Sequence, residues 1–96
     1  MAIRVVAREH LLPGKKEEAL KLFEELISLT RQEAGNISYN LHEQLDAPDF
    51  LAMIEVWESK EALDAHLNSA HFHRLVPQIG VMMAEPTRLE VYSEII

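Results

Sequence analysis

The sequence has no cysteine, which excludes disulfides, thiolate nucleophiles and cysteine-ligated zinc together. Three glycines and four prolines are too few for a long flexible linker. Basic residues are also scarce: nine Lys and Arg against sixteen Asp and Glu leave a formal charge of −7. Nucleic-acid phosphates and anionic membranes both require a basic face, so neither is an expected partner. No apolar run approaches the roughly 20 residues of a membrane-spanning helix. No charged leader with an apolar stretch precedes the first strand-like segment, so the expected location is the cytoplasm.

With 48% apolar and 26% charged residues, the 96-residue composition is that of a globular chain. The length suits one domain, residues 1–96, with limited capacity to bury a core alone. Ile3 to His10 alternates as a strand, Ile3, Val5 and Ala7 against Arg4, Val6 and Arg8. Pro13-Gly14 breaks the chain. From Lys15, the spacing of Ala19, Phe23, Leu26, Ile27, Thr30 and Ala34 predicts a long helix, which Gly35 is placed to end at positive φ. Ile37, Tyr39 and Leu41 mark a second strand, and Asp46-Ala47-Pro48-Asp49 a turn. A third strand runs from Phe50 to Trp57, apolar on both faces except at Glu55. Ser59 predicts an N-cap for a helix through Leu67. Asn68-Ser69 breaks it, a second segment runs from Ala70 to about Met83 with Pro77 as a kink or divider, and Arg88 to Ile95 closes with a strand.

This order predicts an α+β, ferredoxin-like βαββαβ domain, a four-stranded antiparallel sheet with its helices on one face. The other face is expected to carry Val6, Met53 or its alternation partners, Trp57 and Tyr92 among Arg4, Arg8, Asn40, His42 and Glu90. Such a mixed face fits a homodimer formed through the open sheet, one patch meeting itself across a two-fold axis.

Four short segments, in order, carry a resemblance. They are Val6-Ala7-Arg8 with Pro13-Gly14-Lys15, Glu33-Ala34-Gly35-Asn36-Ile37-Ser38-Tyr39, Glu55-Val56-Trp57-Glu58-Ser59 and His66-Leu67-Asn68-Ser69-Ala70-His71-Phe72. Together they resemble the antibiotic biosynthesis monooxygenase family over essentially the whole chain. The resemblance implies a dimeric α+β barrel with a pocket between sheet and helices in each subunit. It further implies a cofactor-independent monooxygenase acting on phenolic or quinol-type aromatics with molecular oxygen. Relatives of the same fold degrade haem, isomerise or bind small metabolites, or have no known activity. Fold therefore follows from membership more firmly than reaction does.

Oxidation without flavin, metal or haem draws its electrons from the substrate, which calls for a base of near-neutral pKa in an apolar pocket. His66 and His71, flanking the helix break, are the candidate bases. Trp57, Phe72 and Tyr39 are candidates to shape the pocket, Asn36 to contact ligand from its turn, and Arg74 to offer a cation. The structural alternatives are His66 capping or padding its helix, His71 bonding a backbone group to fix the bend, Trp57 and Tyr39 packing as core, Asn36 serving its turn, and Arg74 solvated. Glu55 is expected to pair with Arg4, Arg8 or Arg88 across the dimer. No metal site is expected, because His66, His71 and His73 do not share a helix face and no nearby carboxylate completes a set. The expected partner is a small aromatic or metabolite ligand. An isomerase of small phosphorylated or hydroxyketone metabolites and a non-catalytic ligand-binding or stress-associated dimer are the alternatives. Haem degradation is disfavoured, since Leu75 and Val76 stand where that branch carries its axial histidine.

Overall fold

The computed structural model describes residues 1–96. The elements follow in the order β1 (Ile3–His10), α1 (Lys16–Thr30), β2 (Asn36–Gln44), β3 (Ala47–Trp57), α2 (Lys60–Leu67), α3 (Ala70–Gly80) and β4 (Arg88–Ser93). The four strands form one antiparallel sheet in the order β2-β3-β1-β4. This is the ferredoxin-like arrangement, its second helix divided in two.

The strand alternation sorts the side chains. Val5, Ala7 and Glu9 of β1, Leu51, Met53, Glu55 and Trp57 of β3, and Tyr39 of β2 are all buried beneath the helices. They meet Ala19, Phe23 and Leu26 of α1, Leu63 of α2, and Leu75 and Ile79 of α3 in a single core. The opposite parity, with Arg4, Arg8, Asn40, His42 and Ile54, faces outward and no helix covers it. Met53 and Trp57 therefore lie on the helix side and not on the open face, and Trp57 is fully buried. Period two defines two faces without saying which one the helices cover, and on β3 both are apolar.

Several boundaries also move. The hairpin turns at Leu45-Asp46, with Asp46 at φ 62, and β3 begins at Ala47. Glu43 pairs with Leu51 but Gln44 with Ala47, so Pro48 occupies a bulge, where its missing N–H does no harm. Helix α1 ends at Thr30, leaving Ala34 exposed, and Gly35 at φ 84 opens β2 instead of closing the helix. Helix α3 ends at Gly80, earlier than its apolar pattern suggests, and contains Pro77 without being divided by it.

Two serines cap the starts of α2 and α3. Ser59 Oγ accepts from Ala62 N at 3.1 Å, and Ser69 Oγ accepts from Phe72 N at 3.4 Å. Caps of this kind contribute about 1 kcal/mol each. The Ser69 hydroxyl also donates to the His66 carbonyl at 2.7 Å, tying the end of α2 to the start of α3.

Candidate active site

Three acid and base side chains converge at that break. His66 comes from the last turn of α2, His71 from the first turn of α3, and Glu33 from the turn between α1 and β2. His66 Nδ1 and His71 Nε2 each lie 2.7 Å from the same carboxylate oxygen, Glu33 Oε2. Both ring nitrogens must donate, because an ionised carboxylate only accepts. His66 is thereby held in the Nδ1–H tautomer, and its Nε2 is the nitrogen left for the cavity that this ring lines. Burial pushes the His66 pKa below the ordinary value, against the opposing pull of Glu33. The ring is packed from three sides, with centroids 4.7 Å from Trp57, 5.1 Å from Phe72 and 5.3 Å from Tyr39.

The cavity lies between the sheet and the helices and measures about 240 Å³. Phe23 and Leu26 of α1, Leu63 of α2, and Phe72 and Ile79 of α3 supply apolar wall, over a floor of Ala7 and Met53. Its polar groups are Glu9, Tyr39, Glu55, His66 and Thr87, and no arginine or lysine lines it. An uncharged, largely apolar ligand suits such a lining. A phosphate or carboxylate would meet carboxyl groups with no cation to offset them.

The residues singled out from sequence fall in different places. His66, Tyr39 and Phe72 line the cavity. His71 stands behind Glu33, away from the lining, where it shares the carboxylate with His66. Trp57 lies beneath the wall, its indole N–H donating to Glu55 Oε1 at 2.9 Å. Asn36 donates from Nδ2 to the Ser38 carbonyl at 3.1 Å, at the start of β2. Arg74 is exposed and paired with Glu25 at 2.6 Å, so it brings no charge to the cavity. The expected ion pair of Glu55 is replaced by the Trp57 bond, because Arg4, Arg8 and Arg88 belong to the opposite parity of the sheet. Glu33 and Glu9 were absent from the sequence-derived set. For Glu9 the signal was there, as a charged residue on the parity of Val5 and Ala7.

Burial without a cation pushes the Glu55 carboxyl up from 4.5 to about 7; the Trp57 bond pulls down, and Glu9 and Glu33 push further up. The folded protein thus keeps a proton that the unfolded chain surrenders. This contribution is fully present below pH 4.5 and is lost as pH rises through about 7. Its ceiling is about 3 kcal/mol, at 1.36 kcal/mol per unit. His66 acts in the opposite sense, since its depressed pKa costs stability as pH falls below the ordinary 6.5. The difference between wild type and Glu55→Gln isolates the carboxyl. Urea unfolding from pH 4.5 to 7.5 is expected to show the variant gaining on wild type across this range. An offset independent of pH would show that Glu55 is not held protonated.

Glu33, His66 and His71 also form the one cluster whose donor atoms, all within 4.8 Å of one another, suit a metal ion. The carboxylate that the local sequence does not supply arrives from another part of the chain. Tetrahedral zinc bonds of about 2.0–2.2 Å place ligand atoms ~3.3 Å apart. The 2.7 Å separations observed are those of charge-assisted hydrogen bonds.

The sequence profile of the antibiotic biosynthesis monooxygenases matches residues 2–78. The chain belongs to the antibiotic biosynthesis monooxygenase family. Among its relatives, the Synechocystis protein sll1783 is 34% identical over 81 residues, covering 84% of this chain and 55% of its own length. The chain thus spans little more than half of that relative. A conserved protein from Methanosarcina mazei Go1 superposes with a TM-score of 0.94 at 35% identity, over 96% of this chain and 91% of the other. The Mycobacterium tuberculosis protein Rv0793 gives 0.93 at 29% identity, over 100% and 97%. Within this family member, the stretch matching the profile carries Glu9, Glu33, Tyr39, Glu55, His66 and His71, while Thr87 and Leu89 of the cavity lie beyond it.

Proposed function

We propose that this protein is a cofactor-independent monooxygenase that oxidises a small, uncharged hydroxyaromatic with molecular oxygen. The observation that carries this reading is the Glu33-held imidazole of His66, neutral and presented to an apolar cavity. His66 Nε2 takes the hydroxyl proton of a phenol or quinol, and Glu33 stabilises the imidazolium that forms. The electron-rich ring anion then reduces oxygen, and a carbon–oxygen bond forms at a ring carbon bearing hydrogen. The imidazolium returns its proton to the resulting peroxide. Loss of the ring C–H proton then breaks the O–O bond, leaving a carbonyl on the ring and releasing water. One oxygen atom enters the product, the other leaves as water, and the substrate supplies every electron. The apolar walls keep bulk water from the intermediate.

Oxygen uptake with a panel of naphthols and naphthoquinols tests this reading. Consumption with quinone formation, one oxygen molecule per substrate, is expected. Binding without uptake would favour a ligand-binding role, and proton exchange into a ketone would favour an isomerase. The absence of arginine and lysine from the lining weighs against a phosphorylated substrate.

The working unit in this proposal is a homodimer joined through the open sheet. Ile54 on central β3 is 41% exposed there, opposite Val6 and beside Ala52 and Val56. Arg4–Glu94 and Arg8–Glu90 pairs flank this strip. A patch with an apolar centre and both signs of charge is suited to meeting a second copy of itself. Sedimentation velocity is expected to give a dimer for wild type and a folded monomer for Ile54→Lys. A monomeric wild type, or an unaltered variant, would remove the dimer from the proposal.

A further inference from the structure

The cavity is acidic at both ends, and the chemistry proposed above uses only one of them. Glu55 on β3 pairs opposite Val5, and Glu9 on β1 opposite Leu51, so the two lie four register positions apart on the same face. At about 3.3 Å per residue their backbones are ~13 Å apart along the strands. The pair Ala7 and Met53 lies between them on the floor. Glu9 is 7% exposed and has no cationic partner. Thr87 Oγ1 donates to its Oε2 at 2.7 Å, leaving Oε1 without a protein hydrogen bond.

We propose that Glu9 and Thr87 form a distal subsite that binds a hydroxyl or N–H donor at the far end of an elongated, uncharged aromatic ligand. The identity of the reacting end, at His66, rests on the monooxygenase reading; the subsite itself rests on the geometry of the cavity. A buried carboxyl facing an apolar chamber gains most from a ligand that donates a hydrogen bond. Burial raises the Glu9 pKa, in keeping with a group that has no cation nearby. The surroundings are otherwise apolar: Phe23, Ile79 and Leu89 also line the cavity. Leu89, two residues beyond Thr87, is 46% exposed because no helix covers β4, and this leaves the Thr87 end of the cavity accessible. A single-ring phenol held at His66 leaves Glu9 without a partner, whereas a ligand of two or more rings brings a second donor to it. The cavity thus selects length and a neutral donor at the remote end, and it discriminates against a remote carboxylate.

The test is equilibrium binding, measured anaerobically by calorimetry so that turnover plays no part. The probes are naphthol, the naphthalenediol with hydroxyls at its two far ends, and the hydroxynaphthoate in which the diol's remote hydroxyl is replaced by carboxylate. Wild type is expected to bind the diol about tenfold or more tightly than naphthol, in line with a hydrogen bond to an acidic group. The carboxylate is expected to bind more weakly than naphthol. Glu9→Leu should abolish the preference for the diol, read as the ratio of diol to naphthol affinity within the variant. Thr87→Val, which removes only the hydroxyl, should reduce the preference and guards against misfolding of the first variant. Equal affinity of wild type for diol and naphthol, or an equal loss for both ligands in Glu9→Leu, would overturn the subsite. Failure of oxygen uptake with either ligand would count against the monooxygenase reading alone.

Discussion

Replacing His66 by asparagine is expected to lower kcat/KM for oxygen-dependent turnover of a hydroxyaromatic by roughly 10²–10⁴, the usual contribution of a positioned base. The side-chain amide of asparagine can still donate toward Glu33, but it has no nitrogen that accepts a proton. The pH profile supplies the sharper test. Wild-type kcat/KM should rise with pH, with a midpoint below the ordinary histidine value of 6.5, because burial disfavours the charged ring and only the neutral ring is a base. That ascending limb should vanish in His66→Asn. Glu33→Gln is expected to cause a comparable loss by another route. Its amide can present N–H to His66 Nδ1, which moves the imidazole proton to Nε2 and blocks the base. His71→Asn should be milder, since His71 lies outside the cavity lining and only helps to hold Glu33. A His66→Asn protein that is folded and retains most of the wild-type rate would show that the base lies elsewhere.

Gly35→Ala is expected to destabilise the domain by about 2–5 kcal/mol, the sum of a left-handed backbone penalty and a steric one. Gly35 has φ 84, and a Cβ there would lie 2.6 Å from the Cβ of Ala62 on α2. The close approach has a purpose. Gly35 O accepts from Glu58 N at 2.8 Å, so the start of β2 and the entry to α2 cross in direct contact. Glu33 lies just before this crossing and His66 one turn of α2 beyond Ala62, so the crossing sets their separation. Thermal unfolding should fall by roughly 10 °C or more, at ~4–8 °C per kcal/mol for a domain of this size. The double variant Gly35→Ala with Ala62→Gly should recover the steric part and leave the backbone part. If the second substitution restores nothing, the contact with α2 is not what limits the position.

The course of the chain was legible because local chemistry dictates it. The stripe from Ala19 to Thr30 could only be one face of a helix, and Ser59 and Ser69 were recognisable breaks where capping hydroxyls offset lost backbone bonds. Gly35 was marked for positive φ, but its role was misplaced: α1 had already ended at Thr30, and the glycine serves the packing of α2. His66 and His71 could be singled out by residue type and by the break between them, yet their directions could not. Those directions depend on Glu33, 33 and 38 residues away in sequence, and no spacing rule joins such partners.

The same division holds for the sheet. Alternation assigned Glu55 and Trp57 to one side of β3 and Ile54 and Val56 to the other, and the structure keeps that grouping. Which side lies under the helices was undetermined, because both are apolar enough to be buried. The sequence by itself determined the elements, their order, the ferredoxin-like class and the acidic, cysteine-free character of the domain, since these follow from near neighbours and composition. Only the tertiary structure decided that Trp57 is core, that Arg74 turns away, and that Glu9, Glu55 and His66 share one cavity. Those outcomes depend on how helices settle across a sheet, where burial energy is summed over the whole face and no single segment carries the choice.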